Sequence, residues 1–317
     1  MGEPVVYING EFVPASAAKI SVFDRGFRLG DGVFDTTRTF RHRPYKLREH
    51  LERLQRSLHF IRLDLGMSFA ELEQITLEVV EQNRPLWAEN DDVWIHQVIS
   101  RGRLRSAGGP TMVIMTEPLP FSSFARFYKI GVSLITPGIR HTPPQCVEPR
   151  VKTVSRLNLV LAELEAQQAD PEAYALLLDL EGNITEYTSG NFFIVRQGCL
   201  ITPFERTSLG GIARETVLEF AEELGIPTRE ADITPYDACN ADEAFITSTS
   251  KCILPVGRLN GIRIGTTVPG PVTTRLLETW SARVEVDIAA QALSHLDAAE
   301  RAALEQQSAS AGKAAVS

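Results

Sequence analysis

Tyr174-Ala-Leu-Leu-Leu-Asp-Leu180, Glu181-Gly-Asn183, Asn191-Phe-Phe-Ile-Val195, Gln197-Gly198 and Cys199-Leu-Ile-Thr202 decide how the fold is read. Three strongly apolar runs are separated by turns rich in Gly and Asn, with no helix-length segment between them. Strands that return so directly build hairpins, whereas a doubly wound parallel sheet needs a helical crossover between strands. The fold class is therefore α+β, with barrel-like packing of the sheet in the second half of the chain. That half opens with a strand near 131–136 and continues with a helix over about 212–224 and a strand over 243–247.

Working outward, the N-terminus reads as a hairpin: Val5-Val-Tyr-Ile8, the turn Asn9-Gly10, then Glu11-Phe-Val13. Leu47, Leu51, Leu54, Leu58 and Ile61 form a helical stripe. Ser68-Phe-Ala-Glu71 predicts a capping box for a second helix ending near Asn83. Strand-like runs follow at 93–100 and 111–116, so the first half is a small α/β domain, a sheet with two helices on one side. Residues 117–128 hold two prolines and break both periodicities, which marks an interdomain connection. The expected organisation is a small domain over 1–118, a linker over 119–130, a larger domain over 131–290 and a flexible tail over 291–317.

The chain has 317 residues, 44% of them hydrophobic and 23% charged, enough for two ordinary domains. A net charge of -8 and a pI near 5.4 argue against nucleic acid and acidic membranes as partners. The basic cluster Arg101-Gly-Arg103-Leu-Arg105 suits a small anion or a solvated turn. Cys146, Cys199, Cys239 and Cys252 lie far apart, without clustered histidines, which argues against a metal site or a disulfide framework. No run of about 18 apolar residues occurs and the N-terminus has no leader character, so a cytoplasmic protein is expected.

Chemistry is concentrated elsewhere. The chain carries six lysines against 26 arginines. Lys152 stands in Val151-Lys152-Thr153-Val154-Ser155-Arg156-Leu157-Asn158, at the head of an apolar helical pattern through Val154, Leu157, Leu161 and Leu164. An amine that attacks a carbonyl has to be a lysine, because an arginine keeps its proton. Downstream, Gly182-Asn-Ile-Thr-Glu186-Tyr-Thr-Ser-Gly-Asn191 sets one carboxylate beside an apolar strand. Ser208-Leu-Gly-Gly211 enters a helix whose first N–H groups suit an anion. Thr247-Ser-Thr-Ser250 adds hydroxyls after a strand. Together they ask for a small phosphorylated cofactor held by lysine as an imine, and pyridoxal phosphate fits, with Glu186 on its pyridine nitrogen.

From about Val6 to Ala282 the chain resembles the fold-type IV pyridoxal phosphate enzymes, the class IV aminotransferases. The family's fold is two domains, a small α/β sheet domain and a larger pseudo-barrel β domain with helices. The resemblance implies Lys152 as the catalytic lysine and Glu186 as the pyridine partner. It implies Leu209 against the cofactor ring, the Ile212 and Ala213 amides and Thr249 on the phosphate, and Arg53 of His50-Leu-Glu-Arg53-Leu54 clamping that phosphate. Ala213 stands where many relatives have threonine, and Tyr187 where glycine often follows the glutamate. A ping-pong amino transfer follows, in which Lys152 moves the proton, between an amine and a 2-oxo acid, by a homodimer.

For the substrate, Gly30-Asp-Gly-Val-Phe34-Asp-Thr-Thr-Arg38 aligns with the family's active-site strand, and Arg38 suggests recognition of a carboxylate. Phe34, Trp94, His96, Ser250 and Lys251 complete the candidate substrate set. For Lys251 a carboxylate partner and bulk water both stay open. Phe34, Trp94 and Phe121 point to a hydrophobic amino acid or primary amine as donor, as in branched-chain or (R)-amine transaminases, which Val268-Pro-Gly-Pro-Val-Thr273 also resembles. The alternatives are a D-amino-acid aminotransferase, an aminodeoxychorismate lyase, echoed in Ile99-Ser-Arg-Gly102 and Arg156-Leu157, and a non-catalytic ligand-binding relative.

Overall fold

A computed structural model describes residues 2–103 and 109–314. Arg105 of the basic cluster and the last three residues lie outside the described residues. The chain divides into two compact units: one runs to Leu119 and includes Arg150–Arg156, and the other holds Pro120–Pro149 and the chain from Leu157 on.

The first unit contains β1 (Val5–Ile8), β2 (Glu11–Pro14), α1 (Arg25–Leu29), β3 (Gly32–Phe40), β4 (Arg43–Pro44), α2 (Leu47–Phe60), α3 (Phe69–Asn83), β5 (Val93–Ser100) and β6 (Thr111–Pro118). Its strands form one sheet in the order β2-β1-β6-β5-β3-β4. The expected hairpin turn has both central residues at positive φ, Asn9 at 51° and Gly10 at 101°, the geometry that matches strand twist. Leu51, Leu54 and Leu58 of α2 and Leu72, Val79 and Val80 of α3 bury against Val33, Ile95, Ile99 and Ile114 of the sheet. Ser68 and Glu71 make the reciprocal capping box at the start of α3.

The second unit contains α4 (Phe121–Phe124), α5 (Phe127–Ile130), β7 (Val132–Ile135), α6 (Leu157–Ala169), β8 (Tyr174–Leu178), β9 (Ile184–Tyr187), β10 (Gly190–Arg196), β11 (Cys199–Thr202), α7 (Ile212–Glu223), β12 (Thr228–Glu230), α8 (Pro235–Cys239), β13 (Glu243–Ser248), β14 (Cys252–Leu259), β15 (Ile262–Arg263), α9 (Pro271–Val284), α10 (Ile288–Ser294) and α11 (Ala298–Ala314). The strands run β12-β11-β10-β13-β14-β7-β8-β9, and β9 also pairs with β10. That last pairing closes a pseudo-barrel through β10, β13, β14, β7, β8 and β9, with β11 and β12 extending from β10.

Four features differ from the sequence expectation. Lys152 belongs to the first unit although it follows the supposed linker. Phe34 N–H donates to the Lys152 carbonyl at 2.9 Å, Val154 N–H to the Gly32 carbonyl at 3.1 Å, and Val33 bridges Thr153. Backbone pairing to β3 thus overrides sequence order. Residues 121–130 are not a tether: Phe121, Phe124, Phe127 and Tyr128 are all buried, because four large rings in ten residues gain more from a core than from water. The supposed tail is helical through α10 and α11, with Ala292 and Leu296 buried and Phe121 stacked on His295 at 4.4 Å. Alanine, the best helix former, dominates its composition. Finally, α6 buries Ala162 and Ala166 and leaves Leu157, Leu161 and Leu164 exposed, the reverse of the face expected inside. Among the described residues no helix is long and apolar enough to cross a membrane.

Candidate active site

In the first unit the Lys152 segment lies along β3, its N–H donating to Ser57 Oγ of α2 at 3.2 Å. Its Nζ rests 4.8 Å from the centre of the Phe34 ring, and the Arg156 guanidinium lies 5.6 Å from the same ring. An aromatic face against an amine attracts and orients it. Thr36, two residues along the same face of β3, has its Oγ1 3.0 Å from His96 Nδ1, the residue opposite it on β5. Trp94 lies two residues along β5, with its ring 5.6 Å from that of His96. The structure therefore brings Lys152, Phe34, Thr36, Trp94 and His96 together on this unit. Burial lowers the His96 imidazole's affinity for its proton and the Lys152 charge adds to that, while Glu117, 3.2 Å from Nε2, opposes both.

The other face of β3 holds a charged group that the sequence reading passed over. Arg53 grips Asp35 with two bonds, Nε to Oδ2 at 2.8 Å and an Nη to Oδ1 at 2.7 Å, while His50 Nδ1 lies 2.7 Å from Oδ1. Burial alone would raise the Asp35 carboxyl; the Arg53 charge and the His50 bond outweigh it and hold the group far below the usual carboxylate range. Burial pushes the His50 imidazole down, helped by the charges of Arg53 and Lys152 and opposed by Asp35. His50 is thus neutral at physiological pH and donates through Nδ1. A bidentate partner fixes the plane of the Arg53 fork, so a phosphate would meet a pre-oriented guanidinium. The signal was present: alternation along β3 puts Asp35 on the same face as Val33, inside the core.

Arg38 lies on the Phe34 face but does not offer the charge expected of it. Its guanidinium stacks on Phe40 at 3.9 Å, donates to the Thr39 carbonyl at 3.1 Å and lies 3.8 Å from Asp92. A side chain 1% exposed and facing its own carboxylate is a packing cation of this unit. Arg101, from the basic cluster, pairs with Asp31 at 3.0 Å.

In the second unit the glycine turn joins two of the expected functions. Leu209 N–H donates to Glu186 Oε2 at 3.2 Å, and the Leu209 carbonyl accepts from Asn191 Nδ2 at 2.9 Å. Two residues on, Gly211 caps α7 without any side-chain bond to the first-turn amides. A Cβ at Gly211 would fall 2.0 Å from Asn191 Oδ1, so only glycine lets this turn seat against β10. Ile212 and Ala213, which open α7, are buried, and Thr247 Oγ1 is buried with no hydrogen-bond partner. Thr249 and Ser250 follow in the tight β13–β14 turn. Uncapped amides at the head of α7, an unmet hydroxyl on β13 and the Glu186 carboxylate bonded to the turn are the groups that a phosphate-bearing pyridine requires, so these residues fit pyridoxal phosphate. Gly211→Ala is expected to cost about 1–3 kcal/mol through the overpacking at Asn191 and to weaken retention of the cofactor. Thermal melting with and without added pyridoxal phosphate reads both effects.

Glu186 has a further partner that the sequence did not disclose. His141, from the irregular segment after β7, places Nε2 3.1 Å from Glu186 Oε1. No periodicity or motif marks that histidine.

Lys251, from the expected substrate set, lies against two aromatic rings. Its Nζ lies over Tyr174 at 4.2 Å and Tyr187 at 5.5 Å. Tyr187 follows Glu186 in an extended strand, so the two side chains leave on opposite faces. Lys251 is half-buried and lies on the Tyr187 face, opposite the Glu186 side. Burial pushes its amine down to about 8 against the opposing charge of Glu163.

The model of the class IV amino-transferases matches residues 32–259. A Methanocaldococcus jannaschii protein provisionally named as a branched-chain-amino-acid aminotransferase is 35% identical over 282 residues, covering 87% of this chain and 94% of its own. A D-alanine aminotransferase of Bacillus licheniformis is 31% identical over 273 residues, covering 84% and 93%. Among solved structures, the branched-chain aminotransferase of the thermophilic archaeon Thermoproteus uzoniensis with norvaline superposes with a TM-score of 0.80 at 31% identity, covering 89% of this chain and 95% of its own. Another branched-chain amino acid aminotransferase, from T.th., was solved with pyridoxamine 5'-phosphate and superposes equally well.

Proposed function

This chain belongs to the class IV aminotransferase family, whose members use pyridoxal phosphate, and from that premise we propose that it moves an amino group between a hydrophobic amino acid or primary amine and a 2-oxo acid. The observation that carries the reading is the turn 208–211. It ties Glu186 at one residue and opens α7 two residues later, so an acceptor for a pyridine nitrogen and donors for a phosphate are set in one rigid piece. When bound, pyridoxal phosphate supplies an aldehyde that exchanges amines and a ring that takes up electrons. Lys152 is assigned the aldehyde carbon, Glu186 the ring nitrogen, and Arg53, the Ile212 and Ala213 amides and Thr249 the phosphate.

Lys152 Nζ would take the proton from the carbon bearing the substrate amine and return it as general acid. Phe34 holds Nζ in place, and the Thr36–His96 pair keeps the neighbouring polar atoms of β3 and β5 ordered. Phe34 and Trp94 supply apolar surface, which favours a hydrophobic side chain, and Ser250 is assigned the substrate carboxylate.

A panel of half-reactions tests this. Loss of the cofactor's visible band with branched or aromatic amino acids or aryl amines, and its return with a 2-oxo acid, is the expected result. Catalytic pyruvate release with no amino acceptor would instead identify the lyase.

The proposed assembly is a homodimer in the cytoplasm. Support for the dimer comes from α6, where Leu157, Val160, Leu161 and Leu164 are each at least 45% exposed. Their helical spacing forms one continuous apolar face, which a soluble chain covers with a partner. Leu161→Glu with Leu164→Glu is expected to reduce the sedimenting mass to one chain. Folding should change little, since neither side chain is buried.

A further inference from the structure

The pair His141–Glu186 asks for more protons than a neutral imidazole carries. His141 Nδ1 lies 3.1 Å from the Thr142 carbonyl, which can only accept, and Nε2 lies 3.1 Å from Glu186 Oε1. Both side chains are about one-tenth exposed, so water cannot make good a missing donor. A neutral ring has one N–H and meets only one of these acceptors. Two charge arrangements balance the protons: an imidazolium facing a carboxylate, or a neutral ring facing a carboxylic acid. Leu209 N–H donates to the other Glu186 oxygen at 3.2 Å, and the first arrangement gives each carboxylate oxygen a donor. The backbone of His141 is itself pinned, its N–H donating to the Leu178 carbonyl at 2.8 Å, so the ring is presented from a fixed point.

We propose that His141 is a positioning residue: held as an imidazolium between the Thr142 carbonyl and Glu186, it keeps that carboxylate ionised and fixed for the pyridine nitrogen of the cofactor. The role rests on the pyridoxal phosphate reading above and deepens it, because it makes the cofactor's grip depend on a proton that the chain itself stores. Each Glu186 oxygen keeps a second lone pair after accepting from His141 or Leu209, so a ring N–H can still be received. The charged and titratable groups facing His141 are Glu186 on β9 and Asp179 in the turn after β8. Burial disfavours the imidazolium, but Glu186 and, behind it, the Thr142 carbonyl and Asp179 outweigh burial and raise its proton affinity above the ordinary histidine value. As pH rises through that raised value the ring loses its positive charge, the proton towards the neutral Thr142 carbonyl going first, and the grip on Glu186 weakens. The sign is loss on the alkaline side.

Two measurements test the proposal. Ring nitrogen NMR of the protein without cofactor is expected to find His141 doubly protonated at neutral pH, with its titration moved down in Glu186→Gln; a singly protonated ring at neutral pH overturns the proposal. The second is pyridoxal phosphate affinity and the visible band as functions of pH. His141→Gln is expected to bind about tenfold more weakly, the loss of one charge-assisted bond, and to lack the alkaline limb. His141→Arg, which keeps a permanent cation, should restore affinity and also lack the limb. A wild type that binds no pyridoxal phosphate sinks the parent reading and this one with it. A wild type that binds, beside an H141Q protein of equal affinity and equal pH profile, sinks the role of His141 alone.

Discussion

Lys152→Ala is expected to lower turnover by at least about 10⁴-fold, since general acid–base transfer alone contributes about 10²–10⁴ and the same amine also holds the cofactor. The fold should survive. The bonds that fix residue 152 to β3 and α2 are made by its backbone, from Phe34 N–H to its carbonyl and from its own N–H to Ser57 Oγ. What is lost is the amine over the Phe34 ring. Lys152→Arg should be as inactive as the alanine variant, because a guanidinium keeps both its charge and its proton near neutral pH. Steady-state rates of both variants, together with partial rescue of Lys152→Ala by a small added primary amine, separate loss of the reacting group from loss of structure. Wild-type turnover in either variant would remove Lys152 from the chemistry.

The second large effect belongs to Asp35. Asp35→Ala leaves the buried Arg53 charge uncompensated and deprives His50 of its acceptor, and breaking a buried pair in this way costs about 3–5 kcal/mol. Urea unfolding followed by tryptophan fluorescence reads it, since Trp87 and Trp94 both belong to the first unit. The pH dependence follows from the depressed carboxyl. In the unfolded chain Asp35 titrates near its ordinary value, about 3.9, and in the folded chain well below it. Its contribution is therefore complete above the unfolded value and disappears as pH falls towards the folded one. Wild type should lose stability steeply below about pH 4, and Asp35→Ala should show a shallower acid limb from a lower start. Equal limbs in the two proteins would mean that Asp35 and Arg53 are not paired.

The elements that carry regular periodicity were legible before the structure. The Leu47–Leu58 stripe, the Ser68 capping box, the strand over 93–100 and the hairpin runs of the second half each follow from local rules. Three things were not. The Lys152 segment joins the first unit through backbone bonds to β3, and backbone pairing leaves no mark on side-chain pattern. The leucine face of α6 reads like a core stripe, because periodicity reports that a face is apolar and not what covers it. Lys251 follows a run of hydroxyls that points towards the phosphate, yet one residue of register turns its amine onto Tyr174 and Tyr187. In the site, residue types with a demanding chemistry, Lys152, Glu186 and the glycines at 210 and 211, could be named from sequence. Their supports could not. Asp35 is visible only once β3 is known to turn it onto α2, and His141 comes from a segment with no periodicity at all.

One amine carries the central claim. Reducing the protein with borohydride in the presence of pyridoxal phosphate, then mapping the peptides, locates the covalent attachment directly. The account predicts a single pyridoxyl group on Lys152. A label on Lys251, whose amine burial pushes down to about 8, or no label on any lysine, would contradict it.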